Sequence, residues 1–528
     1  VQDLWEVTPR LTATLGLRYD RQSFDDDPLR VLDVERAFNI TTGIAPTDDD
    51  NISPRLSLAY DLNGDGRQVV RGGLGYFYGR VPYVLGGNVM QTQRPGVEVV
   101  CSGSLLEGDP DAPPPPSRFA EWDVSGMDNP SGCAGDVGAS GLPTYSFWTE
   151  DFEFPETLKA SLGYEGMVTE RTRLSLDLLF SETTKQYSVR NVNLRDVQFQ
   201  IEGEDGRRIY TPASIFNPTA ANTPGAWRNT DFGDVFANYS DGRGRAYNAA
   251  LEVNHGFSER LNVAASYTFT RAYDNVSESC CTSSGIYTDA TVGAYGPNDL
   301  GGIGDYDKAW GRSDYNRDHT VIFSGFAREL PLGLELSAFW RLQSGRPYTP
   351  EVQGDLNGDG VRFNDRPFVF APEDLPLAAT GEAADELRAE YARILADNDC
   401  VGDYVGQIVE RNTCAFPWTN RLDVRATRRW NTFPGQRAEL QIDLFNVLNG
   451  VGRLLCDEES DDLTEGSCGW GRVTGVFGRD RNLLEIEGFD AASNRILYAP
   501  GSTFGREDVL GSNLLLQFQA QIGFKYYF

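Results

Sequence analysis

Long apolar runs are missing from this 528-residue chain: nowhere do about 18 apolar residues follow one another, which excludes a membrane-crossing helix. Positive charge is also scarce. Lys and Arg number 47 against 77 Asp and Glu, and the formal net charge of −30 rules out nucleic acid as a partner, because phosphates are held by basic surfaces. Histidine occurs only twice. His255 lies near a short turn and His319 at the start of an alternating segment, too isolated for a His-based catalytic site, so both are read as structural. No Pro- or Ser-rich linker divides the chain, which points to one large architecture. The opening VQDLWEVTPR has neither the basic start nor the apolar core of a signal peptide, so the expectation is a mature or truncated form of an exported protein.

What the chain does have is alternation. In its last residues Leu514, Leu516, Phe518, Ala520, Ile522, Phe524, Tyr526 and Phe528 would share one face of a strand, with Gln517, Gln519, Gln521 and Lys525 on the other. The same period recurs at 11–20, 54–61, 67–79, 156–165, 172–183, 246–256, 260–271, 318–328, 334–344, 421–430 and 436–447. Either face of 318–328 could be the apolar one. With 513–528 this makes roughly 12 strands of the length a tilted bilayer crossing needs. The second faces carry Lys159, Asp177, Glu252, Arg341, Asp423, Arg425 and Asp443, which lipid would penalise and a wet lumen would accept. The apolar faces are therefore expected to point outward, with Tyr19, Tyr60, Tyr78, Tyr164, Trp340 and Trp430 in interfacial girdles.

Short turns such as Asn63-Gly64-Asp65-Gly66 alternate with very long connections. The expected fold is all-β, a transmembrane antiparallel β-barrel with short periplasmic turns and long extracellular loops in the outer membrane of a Gram-negative bacterium. Acid clusters at Asp25 to Asp27, Asp48 to Asp50 and Glu458 to Asp462 fall between the alternating segments and read as loop surface or cation-binding sites. The eight cysteines also fall in the connections. Local spacing favours disulfides over metal sites among Cys101, Cys133, Cys400, Cys414, Cys456 and Cys468; the adjacent Cys280 and Cys281 would bond each other only with strain.

Several strings taken together resemble the carboxy-terminal part of a TonB-dependent outer-membrane receptor, in particular the Oar-like branch. They are QDLWEVTPRLTATLGLRYD (Gln2 to Asp20), SPRLSLAYDLNGDGRQVVRGGLGYFYGR (Ser53 to Arg80), LQSGRPYTP with GDLNGDGVRFNDRPFV (Leu342 to Val369), LQIDLFNVLN (Leu440 to Asn449) and the terminal strand. The resemblance implies a barrel of about 22 strands around an amino-terminal plug. Residues 1–528 would be its carboxy-terminal portion, with the plug, the TonB-contacting box and the early strands outside this sequence. Val1-Gln2-Asp3 reads as the tail of a preceding strand. The implied partners are membrane lipid, the TonB complex through the missing segment, and the barrel-insertion machinery, whose signal Phe524, Tyr526 and Phe528 resemble; a partner chain or lipoprotein is a further candidate.

Asp355-Leu-Asn357-Gly-Asp359-Gly360 reproduces the first half of a calcium loop, in which alternating oxygens converge on a hard cation. Arg366 stands where a bidentate Glu is expected and Asp365 is one residue short, so Ca²⁺ binding and a plain Asx-rich turn both stay open. Asp61-Leu-Asn63-Gly-Asp65-Gly66 starts the same way but sits in a tight turn, which favours the turn. The expected function is non-enzymatic: energy-coupled import of a ligand bound on the outer loops. A surface-binding or structural barrel, an adhesin or one part of a multi-chain envelope assembly, is the alternative.

Overall fold

A computed structural model describes residues 1–24, 26–92, 142–201, 203–211, 226–277, 282–288, 291–293, 309–455, 481–505 and 518–528. Alternating side chains and glycine-rich turns build one 15-stranded, mostly antiparallel sheet, in which each wall strand pairs antiparallel with the next along the chain. The wall strands are β1 (Gln2–Thr8), β2 (Leu11–Gln22), β3 (Asp48–Asp61), β4 (Gln68–Tyr78), β5 (Glu156–Thr169), β6 (Thr172–Asn191), β7 (Val235–Gly256), β8 (Leu261–Asp274), β9 (His319–Leu330), β10 (Leu334–Gln343), β11 (Thr419–Asn431), β12 (Arg437–Phe445) and β13 (Gln519–Tyr527). Two short strands, Tyr145–Trp148 and Gly311–Arg312, attach beside this path. β1 appears where only a strand tail was expected, and β13 is described from 519, so Leu514 and Leu516 lie outside the described residues.

Register places the apolar positions on one continuous outer face. Leu162 pairs with Leu178, Leu251 with Leu176, and Ile442 with Ile522. Pairing also settles β9. Phe323 sits between Ala265 of β8 and Trp340 of β10, so Val321 and Phe323 point outward and Ile322 inward. Outward apolar residues stay uncovered by protein, with Ile522 73% and Phe524 63% exposed, as lipid-facing positions are. The inner face is laced with charge instead. Arg71 bridges Asp177 (2.8 Å) and Glu165 (3.6 Å), Arg429 bridges Glu335 (2.8 Å) and Glu439 (2.7 Å), and Lys525 reaches Glu439 (3.3 Å).

β6 and β7, at 20 and 22 residues, are twice as long as the roughly 9–11 that a tilted crossing needs. Their outward series Leu174, Leu176, Leu178, Phe180 ends at Glu182, which faces Arg245 at 2.6 Å on the same outer surface. The lipid-facing band stops there, and the strands continue past it to carry the long connections.

Those connections, 23–47, 79–155, 192–234, 275–318, 344–418 and 446–518, all leave from one end of the wall and contain the buried core of the molecule. One cluster joins Ile209, Val352, Leu356, Val369, Tyr391, Leu395, Leu484 and Tyr498; a second joins Leu85, Trp148, Phe152, Phe154, Phe236 and Tyr287. The described parts of these connections therefore form a folded cap. Its framework includes a sheet of Glu351–Gln353, Asn482–Asp490 and Arg495–Pro500, a hairpin of Phe199–Ile201 and Arg207–Ile209, and the helix Glu382–Asp397. The acid run Asp48 to Asp50 belongs to β3 rather than to a connection. Asp48 is buried there because it accepts hydrogen bonds from Asn51 Nδ2 (2.7 Å) and the Phe154 amide (2.8 Å).

Candidate functional site

The sequence Asp355 to Gly360 folds as a tight loop inside the cap because its glycines take conformations closed to other residues. Gly358 has φ +71° and packs so near Thr211 that a Cβ would stand 2.3 Å from its carbonyl oxygen. Asp355 accepts hydrogen bonds from the amides of Gly358 (2.7 Å), Asp359 (3.1 Å) and Gly360 (3.0 Å). Asn357 Oδ1 accepts from the Asp359 amide (2.9 Å), and Asp359 Oδ1 from the Val361 amide (2.8 Å). Asp365 closes the loop, its Oδ2 accepting from the Leu356 amide (2.7 Å). The structure thus brings all four sequence candidates, Asp355, Asn357, Asp359 and Asp365, into one buried turn.

Beside it lies a charge network that the sequence did not disclose. Arg207, fully buried, donates to Glu204 Oε2 (2.8 Å) and to the carbonyls of Gly293 (3.1 Å) and Arg366 (2.7 Å), and stands 3.7 Å from Asp365 Oδ1. The Tyr498 hydroxyl donates to Glu204 Oε1 (2.7 Å), 294 positions away in sequence. Three long connections therefore meet at one guanidinium, and a fourth joins them through Glu204. Burial opposes its charge, but the combined fields of Glu204, Tyr498 and Asp365 raise the Arg207 pKa.

The carboxylates respond to the same surroundings. Burial, then the neighbouring Asp355 and Asp365, push Asp359 well above the usual carboxylate range. Burial lifts Asp365 to about 7; Arg207 opposes the rise and Asp355 adds to it. Burial, with Arg411 and Arg207 nearby, lowers the Arg366 guanidinium to about 10. Among the described residues no group of three or more His, Cys, Asp or Glu side chains could hold a metal ion by itself. A cation in this loop would need amide and backbone oxygens as well.

The remaining candidates are spread over the molecule. Asp61 accepts from the amides of Asn63, Gly64 and Gly66 in an exposed turn between β3 and β4, so the same opening sequence gives an Asx turn there. Cys400 and Cys414 form a disulfide across the cap. Cys101, Cys133, Cys280, Cys281, Cys456 and Cys468 lie outside the described residues. Phe524 packs on Trp430 with ring centroids 6.4 Å apart, Tyr526 accepts a hydrogen bond from Thr432 (3.0 Å), and Phe528 follows β13 at 97% exposure. His319 stacks between Tyr267 and Trp418 at the rim, and His255 bonds Thr172 (2.8 Å).

The model of the family described as outer membrane beta barrel domain matches residues 1–452. The chain belongs to that family. As an outer membrane β-barrel chain it resides in the outer membrane of Gram-negative bacteria, which fits a lipid-facing outer surface and a charged inner one. Its structure is similar to that of the outer membrane transporter YddB from Escherichia coli (13% identity, 83% of this chain and 41% of that one, TM-score 0.40). It is also similar to the FrpB iron transporter from Neisseria meningitidis (10% identity, 85% and 40%, TM-score 0.38). A third similar structure is the ferripyoverdine receptor of Pseudomonas aeruginosa (11% identity, 85% and 34%, TM-score 0.36). The outer membrane β-barrel chain thus spans at most 41% of the length of these three proteins. No curated protein matches it in sequence.

Proposed function

We propose that this chain is the carboxy-terminal part of the wall and the extracellular cap of a TonB-dependent outer-membrane transporter. The observation that carries the reading is a folded cap, with its own apolar core, set over a wall whose inner face is charged. A charged lumen suits a water-filled passage or a polar plug, and a folded cap suits ligand capture. Among the described residues no ladder joins β1 to β13. In this reading a closed barrel of about 22 strands joins these edges through strands that precede the chain, together with the plug and its TonB-contacting box.

The ligand would bind the cap, and the inner-membrane energy complex would pull on the plug. Energy coupling would open a path and break no covalent bond in the ligand. Phe524, Tyr526 and Phe528, exposed at the last strand, would be read by the barrel-insertion machinery. The test compares depletion of medium components by wild-type and deletion strains, with and without a protonophore. A component taken up only by energised wild-type cells supports transport. Unchanged uptake, with loss of surface attachment in the deletion strain, would replace it by the surface-binding barrel.

A further inference from the structure

The acidic loop of the cap leaves oxygen atoms without partners. Asn364, 1% exposed, donates through Nδ2 to Asp359 Oδ2 (3.1 Å), yet its own Oδ1 is buried with no hydrogen bond. Asp365 Oδ1 is buried without a hydrogen bond, its nearest cation being Arg207 at 3.7 Å, which already serves Glu204. The Tyr287 hydroxyl, on a helix of a different connection, is also buried and has no hydrogen-bond partner. Its pKa is raised well above the ordinary value by burial and then by Asp359, ahead of Asp234, Tyr210 and Asp355. Buried polar atoms are ordinarily satisfied, and buried carboxylates are paired or coordinate a metal.

Spacing and backbone complete the argument. Asp355, Asn357 and Asp359 occupy alternate positions of a loop whose sixth residue, Gly360, has φ +93°. The amide bonds to Asp355 hold that carboxylate with its loop wrapped around it. We propose that this loop binds one calcium ion through Asp355, Asn357 and Asp359, with the Val361 carbonyl and the Asn364 amide oxygen as further ligands. An all-oxygen set that mixes carboxylates, amides and a carbonyl suits calcium, whose coordination is flexible, better than magnesium, which demands a regular octahedron and retains waters.

The ion would fasten the cap. The Asn357 carbonyl accepts from the Tyr210 amide (2.7 Å), the Asn364 carbonyl from Val292 (2.8 Å) and the Asp365 carbonyl from Val352 (2.9 Å). Ordering the loop therefore orders segments of three long connections. This holds whether the barrel transports or only binds.

The test is calorimetric titration of the full-length, chelator-dialysed protein in detergent with calcium and, separately, magnesium, followed by limited proteolysis of the cap. One calcium per site is expected, with magnesium weaker, and at a hundredfold excess over Kd cleavage should slow by roughly a hundredfold. Asp359→Asn should abolish both effects, and in chelator it should resist protease at least as well as wild type, because it removes a buried charge while remaining folded. Asp61→Asn, in the exposed turn with the same opening sequence, should bind as wild type. Absence of saturable calcium binding, or equal binding by Asp359→Asn, overturns the proposal.

Discussion

Replacing Arg207 with Met removes the guanidinium that joins three connections of the cap while keeping most of its apolar volume. Lost with it are the bond to Glu204 at 2.8 Å, the approach to Asp365 at 3.7 Å, and donors to the carbonyls of Gly293 and Arg366. Removing one partner of a buried ion pair costs about 3–5 kcal/mol, because the remaining charge has no compensation. At 1.4 kcal/mol per tenfold, opening of the cap should become roughly a hundred- to several thousandfold more frequent. Hydrogen exchange in membranes containing the protein would read this at 199–209, 292–293 and 355–369, with β11 and β12 as the unperturbed reference. Arg207→Lys should recover only part of the protection, since an ammonium cannot span the forked set of acceptors. Lowering the pH should also restore part of it by protonating Asp365. Exchange within about threefold of wild type at these segments would show that the network does not hold the cap and would refute the reasoning.

The other predictions concern the cap's acids, its disulfide and the wall. Without divalent cations the cap should be most stable toward acid. Asp365 in the folded cap titrates near 7, above its unfolded value, so the native state binds the extra proton between the ordinary carboxylate range and 7 and loses stability as pH rises through that window. Exchange at pH 5 and pH 8 in chelator checks this, and faster opening at pH 5 contradicts it. Reducing Cys400–Cys414, which closes a loop of sequence separation 14, should destabilise the cap by about 3 kcal/mol, visible as protease cleavage near 399–414 with the wall intact. On the wall, Leu178→Arg should lower membrane folding stability by about 2–4 kcal/mol in denaturant titrations, whereas Leu179→Arg, on the charged face, should cost far less. Equal costs at the two positions would mean that the faces have been assigned wrongly.

The wall was legible because period two is a local property. Leu174 to Phe180 announce their face within seven residues, and Asn-Gly and Asp-Gly mark the turns without reference to distant partners. β9 was ambiguous because Ile322 and Phe326 lie on one face and Val321 and Phe323 on the other; only pairing to Ala265 and Trp340 decides. The cap was illegible for the opposite reason. Its contacts are long-range: Tyr145–Trp148 lies parallel to Val235–Asn238, and Tyr498 meets Glu204 across 294 positions, so no spacing rule connects them. The Asp355 motif was visible, but Asp61 shows that its opening sequence alone does not distinguish an exposed turn from a buried cluster. Asn364, Tyr287 and Arg207, which make that difference, carry no local signal beyond the position of Asn364 beside Asp365.

Whether the apolar face meets lipid can be measured by photolysing a membrane-dissolved carbene probe in outer membranes that carry the native protein and mapping labelled residues by mass spectrometry. The barrel reading predicts labelling at Leu174, Leu176, Leu178 and Phe180 of β6 and at Ile522 and Phe524 of β13. Arg173, Ser175, Asp177 and Gln521 should stay unlabelled, and labelling along β6 should stop by Glu182. Labelling of both faces, of neither, or of the charged face alone would contradict a lipid-embedded wall.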